Sequence, residues 1–325
     1  MRILITGAGG FVGGHLVDLL LTLPELSLHA AVFNPPGENP RLDGRLVTQH
    51  VADLRDPDAV RALIEAARPD RVVHLAALAQ VGASFRDPWQ TLENNIRIQL
   101  NLQEAILRSG LQTRILIVSS SEIYGAARGA SGPIDESYPF APASPYSVSK
   151  VTQDMLGLQY HLAHGMDIIR ARPFNHIGPS QRGGFVAADF ASQIAAVEAG
   201  RQEAVMWVGN LAAERDFTDV RDVVRAYWLL LERGTPGEAY NVCSGTARSI
   251  QALLDTLLSF SSAEIEVRQD PARMRPSDVP RHVGDASKLR AATGWQPTIP
   301  FERSLLDILN DWRQSLGVPV RPDRL

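Results

Sequence analysis

Short apolar runs alternate with longer amphipathic stretches through the first half of the chain. The runs fall at 2–6 (RILIT), 28–33 (LHAAVF), 46–51 (LVTQHV), 71–76 (RVVHLA), 114–119 (RILIVS) and 167–172 (DIIRAR). Between them, helical periodicity marks 11–23, 56–67, 88–109 and 144–164. Strands apolar on both faces, separated by helices, predict a parallel sheet buried on both sides, so the fold class is α/β and doubly wound. Beyond residue 173 the alternation fades. Strand candidates at 204–208 and 238–242 mix with helices at 186–199, 221–232 and 300–316, which predicts a smaller, mixed α/β C-terminal lobe. The expected division is 1–172 as one domain, with a returning segment near 212–245, and 173–325 as the lobe.

The 325 residues are 45% hydrophobic and 21% charged, an ordinary globular balance. The net charge of −4 offers no basic field for nucleic acid. No apolar run reaches the ~18 residues of a membrane span, and glycines and Asp18 interrupt the first apolar stretch before it could serve as a leader. A lone cysteine, Cys243, excludes an intrachain disulfide framework and reads as a small core filler. Together these predict a cytoplasmic protein with neither nucleic-acid nor membrane partners.

The first strand runs directly into Thr6-Gly7-Ala8-Gly9-Gly10-Phe11-Val12-Gly13-Gly14 and then a helix. Gly7, Gly10 and Gly13 stand at three-residue intervals. That spacing allows a tight turn, close backbone approach to a pyrophosphate and close helix–strand packing. The helix N-terminus adds amide donors and a favourable dipole. Glycine triplets alone are weak signals; one placed between an apolar strand and an amphipathic helix predicts a dinucleotide site. An acidic residue at the end of the second strand would accept ribose hydroxyls and repel a 2′-phosphate. Here the strand ends Phe33-Asn34-Pro35-Pro36, which favours NADP(H) while leaving NAD(H) possible. Arg41 and Arg45 are candidates for a 2′-phosphate or for a solvated loop. Asp53 is a candidate acceptor for the adenine amine, or a helix cap alongside Asp56.

Tyr146 and Lys150 in PYSVSK stand four apart at the start of a helix, on one face. A tyrosine needs help to exchange protons near neutrality; a neighbouring ammonium and an oxidised nicotinamide both favour phenolate. The fifth strand ends in Ser119-Ser120-Ser121-Glu122-Ile123-Tyr124-Gly125, where a serine can hydrogen-bond a substrate oxygen beside Tyr146.

Taken together, TGAGGFVGG, HLAA (74–77), SSSEIYG and YSVSK resemble the extended short-chain dehydrogenase/reductases over the whole chain. The resemblance implies Ser120 as substrate-oxygen partner, Tyr146 as acid/base, Lys150 as its modulator, and Asn95 as a helix asparagine organising the proton relay; no metal is implied. It also places Gly7, Gly10, Phe11, Val12, Gly13, Asn34, Asp53, Leu54, Leu75, Ala76, Ala77 and Pro173 along the cofactor.

The C-terminal half, with RPFNHIGP (172–179), GFVAADFASQI (184–194), VGNLAAERDFTDV (208–220) and RPSDVPRHVGD (275–285), is similar to the sugar-nucleotide branch. Within it the resemblance is to GDP-4-keto-6-deoxy-D-mannose reductases, which implies a GDP-sugar substrate. Arg215 and Arg275 would grip its diphosphate and Asp278 a ribose hydroxyl. Asn175, Ser120, Ser121 and Glu122 would line the sugar. Arg273 and Arg281 read as diphosphate donors or as solvated surface, and His176 as a ligand or a packed core histidine. Glu122 also occupies the position of the carboxylate that GDP-mannose 4,6-dehydratases use at C5 and C6, so a dehydratase or epimerase is the alternative enzyme. A non-catalytic dinucleotide sensor is the alternative class. A homodimer through 88–109 and 144–164 follows from the resemblance alone.

Overall fold

The computed structural model describes residues 1–125, 132–271 and 279–320. In chain order its elements begin β1 (Arg2–Thr6), α1 (Phe11–Leu21), β2 (Ser27–Val32), β3 (Val47–Val51), α2 (Pro57–Ala67), β4 (Arg71–His74) and α3 (Val81–Arg86). They continue with α4 (Pro88–Ser109), β5 (Arg114–Val118), a 3-10 turn (Ser121–Tyr124), α5 (Pro145–His164), β6 (Ile168–Pro173), β7 (Asn175–Ile177), α6 (Val186–Glu198) and β8 (Val205–Val208). The remainder is β9 (Glu214–Asp219), α7 (Val220–Arg233), β10 (Ala239–Val242), β11 (Ala247–Ser249), α8 (Ile250–Ser259), β12 (Glu266–Gln269), β13 (Arg281–His282), α9 (Ser287–Thr293) and α10 (Phe301–Leu316).

Seven parallel strands form the main sheet in the order β10-β6-β5-β4-β1-β2-β3. Alternate strand residues feed two separate cores. Ile3, Ile5, Val73 and Leu116 face α1 and α7, meeting Leu16, Leu20, Val223 and Tyr227. Leu4, Val72, Ile115 and Ile117 face α2 and α4, meeting Leu63, Ile64, Ile98 and Leu102. The strand order reverses between β1 and β4, and at such a switch point the carboxyl ends of the strands open a crevice.

A third core joins α6, α8 and α10 through Phe190, Ile194, Leu253, Leu257, Leu305 and Leu309. Beside it β9 pairs with β7, β11 and β13. Within the 212–245 segment, therefore, β9 belongs to this smaller sheet, and the chain rejoins the large one at β10, beside β6.

Candidate active site

At the switch point, Gly7 adopts a left-handed backbone (φ 71°) and its carbonyl accepts from Gly10 N at 3.0 Å. A Cβ on Gly7 would sit 2.9 Å from Ala76 N, and one on Gly13 would strike the Gly7 carbonyl and the Ala8 backbone. The glycines thus let α1 lie directly on β1 and β4. Gly10, the N-cap of α1, offers its first-turn amides no side-chain acceptor, leaving them to an anion. From here a cleft of about 680 Å³ runs past Gly7, Phe33, Asp53, Leu54, Ala76 and Ala77. A bare glycine cradle leading into a cleft of this size fits a dinucleotide, with the pyrophosphate on α1 and the adenosine towards β2 and β3.

Not every expected lining residue takes its place. Phe33, 71% exposed, borders the cleft rather than Asn34, whose carbonyl accepts from Asn39 within the loop. The Asp53 carboxylate is gripped by Arg55 Nε and Nη2 (3.0 and 2.7 Å), hydrogen bonds that hold it below the usual carboxylate range. The cap of α2 is Asp56. Arg41 and Arg45 both pair with Asp18 of α1.

A capping box, Ser144 with Ser147, and Pro145 in the first turn start α5 at a fixed point. Tyr146 and Lys150, one turn apart, are both buried. Lys150 Nζ donates to Val118 O at 2.9 Å, and Ser119 Oγ to Lys150 O at 3.1 Å, so β5 and α5 are bolted together at the site. Ser120 caps the 3-10 turn, accepting from Glu122 N at 3.2 Å, and its hydroxyl acts on the Tyr146 phenol. The protonation states differ from the expectation. Burial pushes the Tyr146 phenol up to about 12; the Ser120 hydroxyl opposes the shift and the nearby Glu122 carboxylate adds to it. Burial also brings the Lys150 amine down to about 7. Desolvation outweighs the tyrosine–lysine coupling, so Tyr146 is held as a proton donor.

Asn95 has no side-chain capacity left for a relay. Its Oδ1 accepts from Leu78 N (2.7 Å), and its Nδ2 donates to Leu78 O (3.1 Å) and Ser149 Oγ (3.0 Å). It ties the segment after β4 to α5. Below, His74 Nδ1 meets Thr6 Oγ1 at 2.8 Å, while Thr6 Oγ1 also accepts from Ala76 N. Leu75 N donates to Thr6 O, holding that residue to the glycine-loop strand.

Sequence reasoning missed the charged lattice beneath the site. Asp154 of α5 accepts from Arg170 Nη1 (2.6 Å) and from Arg172 Nε and Nη2 (2.9 Å each), with its own side chain fully buried. Arg172 Nη1 donates to Tyr124 Oη (2.9 Å), which donates to Asn241 Oδ1 (2.8 Å). The signal was present: Asp154 follows Lys150 by four, and two arginines alternate along β6.

On the other wall, Pro173 is buried at the end of β6 opposite Val242. Asn175, half-buried, pairs with Phe217, and His176 stacks on Phe11 (6.1 Å, 9°) with Nδ1 against Phe174 O. Arg215 donates to Glu214 O and Val279 O (2.8 and 2.6 Å). Ser121 is buried in the turn, and the Glu122 carboxylate bears on Tyr146. Arg273, Arg275 and Asp278 lie outside the described residues, while Arg281 pairs with Glu214. Cys243 is buried as a filler. Among the described residues no helix is long and apolar enough to cross a membrane.

Residues 4–308 match the family described as GDP-mannose 4,6 dehydratase. Over 96% of this chain and 97% of the relative, the chain is 40% identical to a GDP-6-deoxy-D-mannose reductase of Pseudomonas aeruginosa. It is 30% identical to GDP-mannose 4,6 dehydratase 2 of Arabidopsis thaliana, over 92% of this chain and 83% of that one. The structure of RMD from Pseudomonas aeruginosa complexed with NADPH superposes with TM-score 0.85 and 37% identity, covering 97% of this chain and all of that one.

Proposed function

The chain belongs to the GDP-mannose 4,6-dehydratase family, and from that premise we propose that it is an NADPH-dependent reductase. Its reaction is reduction of the C4 ketone of GDP-4-keto-6-deoxy-D-mannose to GDP-D-rhamnose. The observation that carries this reading is the end-to-end 40% identity to a reductase, against 30% or less for the dehydratases. The site chemistry supports it: a buried tyrosine held protonated beside a serine hydroxyl is an acid awaiting an alkoxide.

When bound, a reduced nicotinamide dinucleotide supplies the hydride. Gly7, Gly10 and Gly13, with the amides of Phe11 and Val12, hold its phosphates. Tyr146 Oη gives its proton to the C4 oxygen, and Ser120 Oγ donates to the same oxygen as negative charge develops there. The Lys150 ammonium stabilises the phenolate left behind. Arg215, Arg275 and Asp278 hold the GDP moiety, and Asn175, Ser121 and Glu122 the sugar. The protein acts in the cytoplasm, where its single buried thiol stays reduced. It pairs as a homodimer: Trp89 and Leu100 of α4 and Val148 and Leu162 of α5 stand exposed on adjacent helices, an apolar stripe that a second copy would cover.

The second reading, a 4,6-dehydratase, draws on Glu122 beside Tyr146. Two substrates separate them. A reductase consumes GDP-4-keto-6-deoxy-D-mannose with stoichiometric loss of NADPH. A dehydratase converts GDP-mannose with no net cofactor oxidation, and GDP-mannose turnover that collapses in Glu122→Gln would promote it.

A further inference from the structure

Asp216 stands on β9 with none of its surface exposed, a carboxylate at a core position. Its Oδ1 accepts from Ser244 N (2.8 Å) and Ser244 Oγ (2.6 Å), and its Oδ2 from Gly245 N (2.8 Å) and Gly284 N (3.3 Å). Four donors thus meet the four lone-pair sites of an ionised carboxylate, and they oppose the rise in pKa that its burial causes. The donors belong to two separate segments. Ser244 and Gly245 lie in the turn between β10 and β11, where the chain passes from the large sheet to the small one. Gly284 belongs to a strap, 279–285, laid along β9: Arg281 and His282 pair with Glu214 and Arg215, and Glu214 N donates to Pro280 O at 2.8 Å. At Gly284 the strap lies so close to the core that a Cβ would strike Phe174 and Cys243 Sγ.

The residue before Asp216 uses the same strap. Arg215 Nη1 donates to Glu214 O (2.8 Å) and to Val279 O (2.6 Å), so its guanidinium is seated on the first carbonyl of the strap. Where the strap lies therefore decides where the Arg215 head stands. We propose that Asp216 is a positioning residue for the substrate's diphosphate: by holding the strap and the β10–β11 turn to β9, it sets the place of the Arg215 guanidinium. An apolar side chain could fill the same volume but could not collect donors from two segments. Hydrogen bonds to an ionised acceptor are also about twice as strong as neutral ones, which suits a joint that must hold against the pull of a charged ligand.

That Arg215 meets a diphosphate rests on the proposed GDP-sugar substrate; the setting of Arg215 by Asp216 does not depend on the reduction itself. The experiment therefore reads GDP binding by calorimetry on the whole protein with NADPH present, and ketosugar turnover separately. In Asp216→Asn the side chain keeps one acceptor oxygen and turns an N–H towards two of the donors. GDP should then bind about 10-fold more weakly, with the Kd for NADPH within about twofold of wild type, because the cofactor cradle is on α1. Arg215→Met should weaken GDP by about 10- to 100-fold. Adding Asp216→Asn to Arg215→Met should change that Kd by less than about twofold, since the group being positioned is already gone. Weakening by the same factor in both backgrounds would overturn the proposal. So would NADPH affinity falling in step with GDP affinity, the mark of a general loss of structure. Ser244→Ala is the milder perturbation, removing one donor and leaving three amides. It should weaken GDP by about threefold alone and leave it unchanged in the Arg215→Met background, and this cycle decides the question if Asp216→Asn does not fold. A wild type that binds GDP but leaves the ketosugar nucleotide unreduced would sink the reductase reading, while the two cycles still decide the role of Asp216. A wild type that binds no GDP would overturn both.

Discussion

Binding of NADPH should draw a proton onto Lys150, and the structure sets the size of the effect. Burial brings its amine down to about 7 against an ordinary value near 10.5, and among the described residues Nζ donates to one backbone carbonyl, Val118 O. A dinucleotide brings hydroxyls and negative charge to this site, and both favour the ammonium. The free protein thus binds fewer protons than the complex wherever the pH lies between about 7 and the raised value in the complex. At pH 8, one unit above the free value, about a tenth of the free lysines are charged, so uptake approaches ~0.9 proton per site. Affinity follows the same sign: flat below about pH 7, then falling about tenfold per unit as pH rises, until the pKa of the complex is reached. Calorimetric titration at pH 8 in two buffers of different ionisation enthalpy measures the uptake directly. At that pH the cofactor's own 2′-phosphate is already dianionic and adds nothing. In Lys150→Met the uptake should vanish. Uptake near zero in the wild type, or undiminished in Lys150→Met, would refute the reasoning.

Three further outcomes are expected. Tyr146→Phe should slow ketone reduction by about 10²–10⁴-fold, the usual worth of a positioned acid, while NADPH titrations stay unchanged. In Gly13→Ala the new methyl meets the Gly7 carbonyl and Ala8; α1 must move off β1, at about 1–3 kcal/mol in urea denaturation, and NADPH affinity should fall with it. Asp154→Asn leaves Arg170 and Arg172 buried without their carboxylate; unfolding free energy should drop by about 3–5 kcal/mol, and a loss below 1 kcal/mol would show that the lattice carries little.

Much of the main sheet was legible because its inner strands are buried on both faces, whereas the edge strand β3 has no buried residue. RILIT, RVVH and RILIV read as continuous apolar runs, and the helices between them carry one apolar stripe each. The glycine loop was legible for a local reason: backbone contact at Gly7 and Gly13 admits no side chain. The C-terminal elements were harder. β9, Glu214–Asp219, is a polar sequence whose last four residues are nonetheless buried, since Asp216 is satisfied by Ser244 and Gly245 and Asp219 by Arg221. Polarity hid a strand. α8 has a legible start, Ser249 accepting from Ala252 N before an apolar repeat, yet the helices expected from the sequence do not include its ten residues. The proton chemistry was half legible. Sequence placed Tyr146, Lys150 and Ser120 together, but the outcome of desolvation against charge coupling depends on burial that spacing does not encode.

The lattice under the site explains why that burial can be sustained. Ser120 and Tyr146 come from different elements, a turn after β5 and the first turn of α5, and they stay side by side only if both elements are fixed. Asp154 sits two turns below Tyr146 and binds two arginines of β6; one of these binds Tyr124, at the far end of the Ser120 turn, and Tyr124 binds Asn241 of β10. Helix, Ser120 turn and two strands are therefore linked through hydrogen bonds that leave the carboxylate satisfied, the condition under which a buried ionic cluster adds rigidity. A charge lost here acts on the reaction without touching substrate. Asp154→Asn should thus lower kcat for reduction beyond what its loss of folded protein accounts for, even at temperatures where the variant is fully folded. An unchanged kcat per folded molecule would confine the lattice to stability and leave the alignment of Ser120 and Tyr146 to the capping box and to Lys150 alone.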